Sequence, residues 1–187
     1  MIALGMAFAA LPAHAFAQTP DVLACMDSGY SEQQQAAIDR YVNSFDLDTM
    51  GTDPQLVEAL ADRAAVCAGT DYADEASMMA ILEHKFAGLS LDGIAATRPD
   101  VAETVRRMDE DLDEATRQRL FYLFEVEIFG DPQTGQTREL TVEEEEFFGE
   151  AILNPSVSGS IEQAEMIGAF MAARLMQRDA EQRLAAR

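Results

Sequence analysis

Residues 160–187 read SIEQAEMIGAFMAARLMQRDAEQRLAAR. Ser160 and Gln163 have the spacing of a capping box, in which each side chain bonds a free backbone N–H of the other residue. Acidic residues lie early in the segment and Arg residues late, an order that suits the helix dipole. The segment therefore predicts a long C-terminal helix over about 161–186.

Two apolar stripes run along this predicted helix. Met171 and Leu175 belong to one stripe, and Met166 and Phe170 belong to a second stripe beside it. Two stripes exceed what a small domain readily covers, and Met suits adaptable binding surfaces. We therefore predict a partner-binding or homo-oligomer surface at these four residues. A Met and aromatic stripe at helical spacing is, however, more often simple core.

The segment over 113–129, DEATRQRLFYLFEVEIF, is the richest in large apolar residues. A helix here would be apolar most of the way round, which predicts a central position. Between 125 and 142, two alternating stretches flank residues typical of a turn, so the end of this helix is ambiguous. The segment forms either a small β-hairpin or a protruding loop between two helices, and we favour the loop.

The remaining segments also have the periodicity and the ends of helices. Apolar residues recur at three- to four-residue spacing after each start signal. We expect an all-α protein, an irregular bundle of about six to seven helices. Helix starts are predicted at Ser31, Asp53, Asp74, Pro99, Asp113 and Thr141.

The amino terminus has the features of a secretory signal. Residues 2–11 are apolar except for Gly5, and Ala15-Phe16-Ala17 has the small-x-small pattern of a cleavage site. We predict a cleaved signal peptide over 1–17, and a single helical domain over 18–187 in the periplasm or outside the cell. The alternative is a buried first helix. No later segment is apolar enough to be a transmembrane helix.

The chain is strongly acidic. It has 34 Asp and Glu against 13 Lys and Arg, a formal net charge of −21. Such a surface repels nucleic acid and anionic lipid, and is compatible with basic partners or divalent cations. Plain solubility or adaptation to a saline habitat is the competing explanation.

Cys25 and Cys67 are the only two cysteines. An even count in an exported chain predicts a disulfide between them. Two buried thiols or a redox pair are the alternatives. The wide spacing and the lack of a C-x-x-C motif argue against redox catalysis.

The search for catalytic and metal-binding motifs yields only weak candidates. His84, the single histidine after the predicted signal peptide, lies between Glu83 and Lys85, and adjacent helical residues point in different directions. Asp109, Asp111 and Asp113 have the spacing of the first half of a calcium loop. The Gly and the bidentate Glu that complete such a loop are missing, so a charged helix junction is the better interpretation.

The sequence therefore predicts an exported acidic helical module that binds a protein or peptide, without enzymatic activity and without a cofactor. The first alternative is an acidic divalent-cation-binding protein. The second is a hydrolase that uses paired carboxylates, although acidic residues are too common here for spacing to select a pair.

Overall fold

A computed structural model of the protein describes residues 21–48, 53–131, 134, 136, 138–153 and 159–186. These residues form eight helices and no strand, which confirms the all-α class with more helices than predicted. The predicted signal peptide lies outside the described residues. The helices are α1 (Asp21–Cys25), α2 (Glu32–Asn43), α3 (Pro54–Ala68), α4 (Glu75–Thr97), α5 (Pro99–Asp111), α6 (Glu114–Phe129), α7 (Val142–Leu153) and α8 (Ile161–Ala185).

Local hydrogen bonds explain where these helices begin. The predicted capping box before α2 is complete: Ser31 Oγ accepts from the Gln34 N–H at 3.3 Å, and Gln34 Oε1 accepts from the Ser31 N–H at 2.9 Å. Ser160 caps α8 by accepting from the Gln163 N–H at 3.1 Å. Its box is not reciprocal, because the side-chain amide oxygen Oε1 of Gln163 accepts instead from the Gly159 N–H at 2.6 Å.

Helix α4 is longer than its sequence indicates. The pattern predicts a helix that ends near Leu89 and a separate turn over 91–96, but the structure has one helix through Thr97. Gly88 and Gly93 weaken helix propensity in this segment. Close packing outweighs that cost. Glycine at position 93 lets Phe45 pack directly on α4, whereas a β-carbon there would lie 2.7 Å from the Phe45 β-carbon.

The segment between 125 and 142 is a loop between two helices, not a hairpin, in the part that the structure describes. Helix α6 continues through the alternating residues 125–128 and ends at Phe129. Pro132, Gln133 and Gly135 of the predicted turn, and Thr137 at the start of the second alternating stretch, lie outside the described residues.

The antiparallel pair of α4 and α8 forms the centre of the fold. Arg98 at the end of α4 pairs with Glu162 at the start of α8, with Nη1 and Oε1 2.9 Å apart. At the other end of the pair, His84 lies 3.0 Å from Glu181. Helices α2, α3 and α5 pack on α4, and α5, α6 and α7 pack on α8.

Helix α6 was predicted to be central and instead packs to one side, against α7 and α8. Its last residue, Phe129, keeps 44% of its surface exposed. The reason is that α8 already fills the middle of the bundle, so α6 can bury only one face. Among the described residues, no helix is both long and apolar enough to cross a membrane.

Candidate functional site

The four residues predicted to bind a partner lie against the protein's own core. Met166, Met171 and Leu175 are 7%, 2% and 2% exposed, and Phe170 is partly buried. The helices packed on α8 cover both predicted stripes, so these side chains form no continuous exposed apolar surface. Met166 and Leu175 each border a separate surface hollow.

The three aspartates of the incomplete calcium pattern have separate surroundings. Asp109 pairs with Arg174 across 2.8 Å, which links α5 to α8. Asp113 caps α6, and hydrogen bonds from the Thr116 hydroxyl and N–H lower its pKa. Asp111 ends α5. No group of three or more His, Cys, Asp or Glu in the described part of the chain is placed to hold a metal ion.

His84 and its two charged neighbours bond in different directions. The His84 ring lies 3.0 Å from a Glu181 oxygen, and its side chain is 16% exposed. Glu83 pairs with Arg183, and Lys85 pairs with Asp27 at 2.9 Å. These three residues therefore link α4 to other parts of the chain and form no cluster.

The predicted disulfide is present. Cys25 and Cys67 are bridged with their Cα atoms 5.7 Å apart, which joins α1 to the end of α3. A bridge across 42 residues stabilises the fold by about 4 kcal/mol on the chain-entropy account. The buried side chains of Val22, Leu23 and Met26 anchor α1 as well.

A surface hollow of about 360 Å³ lies where three distant parts of the chain meet. These parts are the segment that follows α2, the end of α4 and the start of α8. The hollow is lined by Phe45, Asp46, Leu47, Asp48, Thr97, Arg98, Glu162, Glu165 and Met166.

The lining of this hollow divides into an apolar floor and an acidic rim. Phe45 and Met166 are each 7% exposed, and Leu47 is partly buried beside them. All four carboxylates of the lining are on exposed residues. The site therefore combines apolar contact with negative charge.

Arg98 is the one basic residue of the lining, and its charge is already matched. It donates to both carboxylate oxygens of Asp100 at 3.1 Å and to Glu162 at 2.9 Å. The hydrogen bonds to Asp100 are the largest cause of its raised pKa. Since Asp100 and Glu162 neutralise this guanidinium, the rest of the rim gives the hollow a negative character.

Sequence reasoning predicted Met166 as a binding residue but missed the rest of this hollow. In the sequence, Phe45 looks like an ordinary residue of an apolar helix face. Glu162 and Glu165 look like acidic residues near the start of a helix. Their meeting depends on the α4–α8 pairing, which no local pattern indicates. Gly93 is part of this arrangement, because its missing side chain leaves the space that Phe45 occupies.

Comparison with protein-family models, with curated protein sequences and with solved structures finds no match to this chain. The fold and the hollow thus describe an acidic, disulfide-linked helical protein with an acid-rimmed surface site.

Proposed function

We propose that this protein is an exported, non-enzymatic binding module, and that its hollow receives a basic side chain of a protein or peptide partner. The observation that supports this proposal is the combination of a buried apolar floor with an acidic rim. Lys and Arg have the matching chemistry, since each has an apolar stem below a cationic head.

The rim offers a carboxylate to such a cation. Glu165 is exposed and forms no ion pair with any described residue. Glu162 is shared with Arg98, yet 78% of its side chain remains exposed. A Lys or Arg head group therefore meets Glu165 without first breaking an existing ion pair.

The charge of the whole chain supports the same partner. A formal net charge of −21 attracts basic segments from a distance and accelerates their association at low salt. The hollow then supplies the apolar contact that long-range attraction lacks. A basic segment with at least one Lys or Arg side chain is the partner that fits both features.

Reversing the charge of Glu165 tests this function. Peptides are selected against the full chain from a phage-displayed random library, and their affinities are measured by calorimetry. We expect the selected peptides to contain Lys or Arg and to bind Glu165→Arg about ten-fold or more weakly, because like charges then meet at the rim.

Glu150→Arg is the matched control, since it makes the same charge change at an exposed position of α7 outside the hollow. Its affinity for the selected peptides should stay within about two-fold of the unmodified protein, the size of a weak long-range effect. The proposal fails if no peptide is enriched at low salt, or if both variants weaken binding equally.

A further inference from the structure

Arg63 lies against one end of the disulfide. It precedes Cys67 by one turn of α3, and its Nη2 lies 3.2 Å from the Cys25 sulfur. The same guanidinium donates to the Cys25 carbonyl oxygen from Nη2 at 2.9 Å and from Nε at 3.2 Å. It forms no ion pair with a carboxylate of the described residues. Its positive charge therefore faces one of the two sulfur atoms.

Gly29 keeps the guanidinium in this position. Its φ of 82° lies in the left-handed region that favours glycine, and a β-carbon there would lie 2.7 Å from Arg63 Cζ. The chain after α1 thus passes close to the Arg63 guanidinium. Any larger residue at this position would displace the guanidinium.

The two sulfur atoms consequently differ as leaving groups. Cys25 and Cys67 are both partly exposed residues, which places the bridge near the protein surface. Only the Cys25 sulfur receives a hydrogen bond from the described residues, and its donor is cationic. A thiolate beside Arg is stabilised, and a thiol of lower pKa leaves faster in disulfide exchange.

We propose that this bridge is a thiol-exchange site with a fixed direction of attack. The thiolate of a thiol reductant attacks Cys67 Sγ and forms a mixed disulfide with it. The original S–S bond breaks, and its electron pair leaves on Cys25 Sγ as a thiolate facing Arg63. A second thiol then attacks the mixed disulfide, releases Cys67 and becomes oxidised together with the first.

The arrangement also favours closure of the bridge again. The buried side chains of Val22, Leu23 and Met26 hold α1 in place, and Arg63 bonds the Cys25 carbonyl oxygen, a contact that does not itself involve the sulfur atoms. The wide cysteine spacing argues against a redox catalyst. In this proposal the chain is the substrate of exchange and the reductant is an external thiol.

Brief treatment with reduced glutathione tests the direction of attack. The oxidised full chain is exposed to glutathione, quenched with acid, digested and analysed by mass spectrometry. We expect roughly five-fold or more glutathione adduct on Cys67 than on Cys25, because the better leaving group determines which sulfur is attacked. If the unmodified protein has equal amounts of adduct on the two cysteines, or more on Cys25, the proposal is overturned.

Variants of Arg63 then identify the cause. Arg63→Gln should remove the preference for Cys67, and Arg63→Lys should keep part of it, since Lys retains the charge. Arg40→Gln, which removes an exposed charge on α2, should leave the preference unchanged. A preference that survives in Arg63→Gln overturns the assignment to Arg63, and a loss in Arg40→Gln shows a general charge effect.

Discussion

At the scale of single residues, Gly93 determines how closely the segment that follows α2 approaches α4. Its position in α4 faces Phe45, whose Cβ, Cγ and Cδ2 atoms would all lie within 2.8 Å of an added β-carbon. Phe45 keeps only 7% of its surface exposed, so its ring has little room to move away from an added methyl group. The pair therefore has no room for a methyl group.

We expect Gly93→Ala to lower the free energy of unfolding by about 1–3 kcal/mol, the usual cost of overpacking a core. Gly168→Ala is the matched control, because a β-carbon at Gly168 in α8 would contact nothing within 4 Å. That variant should be more stable by up to about 1 kcal/mol, since Ala favours a helix over Gly. Urea denaturation followed by circular dichroism measures both. Equal effects of the two changes would contradict this account of Gly93.

Residue-scale prediction from sequence succeeded where the interaction is local. Asp53 caps its helix as predicted, and Asp74 and Asp113, which were predicted as helix starts, cap theirs, because the N–H groups two or three residues later lie close to the side chain. Gln163 shows the limit of the same reasoning. Its amide can reach the capping position, but Gly159 competes for its oxygen.

At the scale of elements, Arg138 holds the loop between α6 and α7. Its two terminal nitrogens each lie 2.7 Å from a Glu144 oxygen, and its Nε lies 3.4 Å from Asp131. Glu144 also accepts from the Thr141 N–H at 2.8 Å, which completes the predicted capping box of α7. One guanidinium thus joins the end of α6 to the start of α7.

These bonds stabilise the charged form of Glu144. The hydrogen bonds from Arg138, followed by those from Thr141, lower its pKa from 4.5 to about 2. Because the pKa of Glu144 is lower in the folded state than in the unfolded chain, its ionised carboxylate stabilises the fold fully at pH values above the unfolded pKa. This stabilisation is lost as the pH falls from about 4.5 to about 2.

We expect Glu144→Gln to lower stability at pH 7 by about 1 kcal/mol, the upper range for a solvent-accessible ion pair. The variant should also lose less stability than the unmodified protein between pH 4.5 and pH 2.5, because position 144 then has no carboxylate to protonate. Urea denaturation at several pH values measures this. Glu145→Gln changes an exposed neighbour and should retain the original pH dependence. A pH dependence unchanged in Glu144→Gln would show that another group causes it.

At the scale of the whole molecule, compartment, charge and disulfide belong together. A protein outside the cytoplasm meets oxidising conditions, in which a bridge such as Cys25–Cys67 persists. The bridge ties down α1, whose first residue, Asp21, comes soon after the predicted cleavage site at Ala17. Export therefore remains our proposal for the location in which this fold functions.

Mass spectrometry of the protein from its native cells tests that proposal. We expect the chain to begin near Gln18, because cleavage after Ala17 removes the predicted signal peptide. The same sample, alkylated before reduction, should show both cysteines protected. An intact Met1 with free thiols would contradict export.

The sequence by itself determined the helical class, the helix starts and the partner of each cysteine. Helix periodicity and capping depend on residues a few positions apart, and a chain with two cysteines has only one possible internal pairing. The exposure of the apolar stripes on α8 could not be determined in this way. Their burial depends on which helices pack on α8, and those helices are distant in the chain.

Only the tertiary structure decided where the sites lie. The hollow brings Phe45 to Arg98 and Met166, and the disulfide site brings Arg63 to Cys25. Each juxtaposition spans tens of residues and depends on close contacts at Gly93 or Gly29, where a missing side chain leaves room for a neighbour. Local propensity specifies where a helix begins, but packing between helices determines which side chains meet.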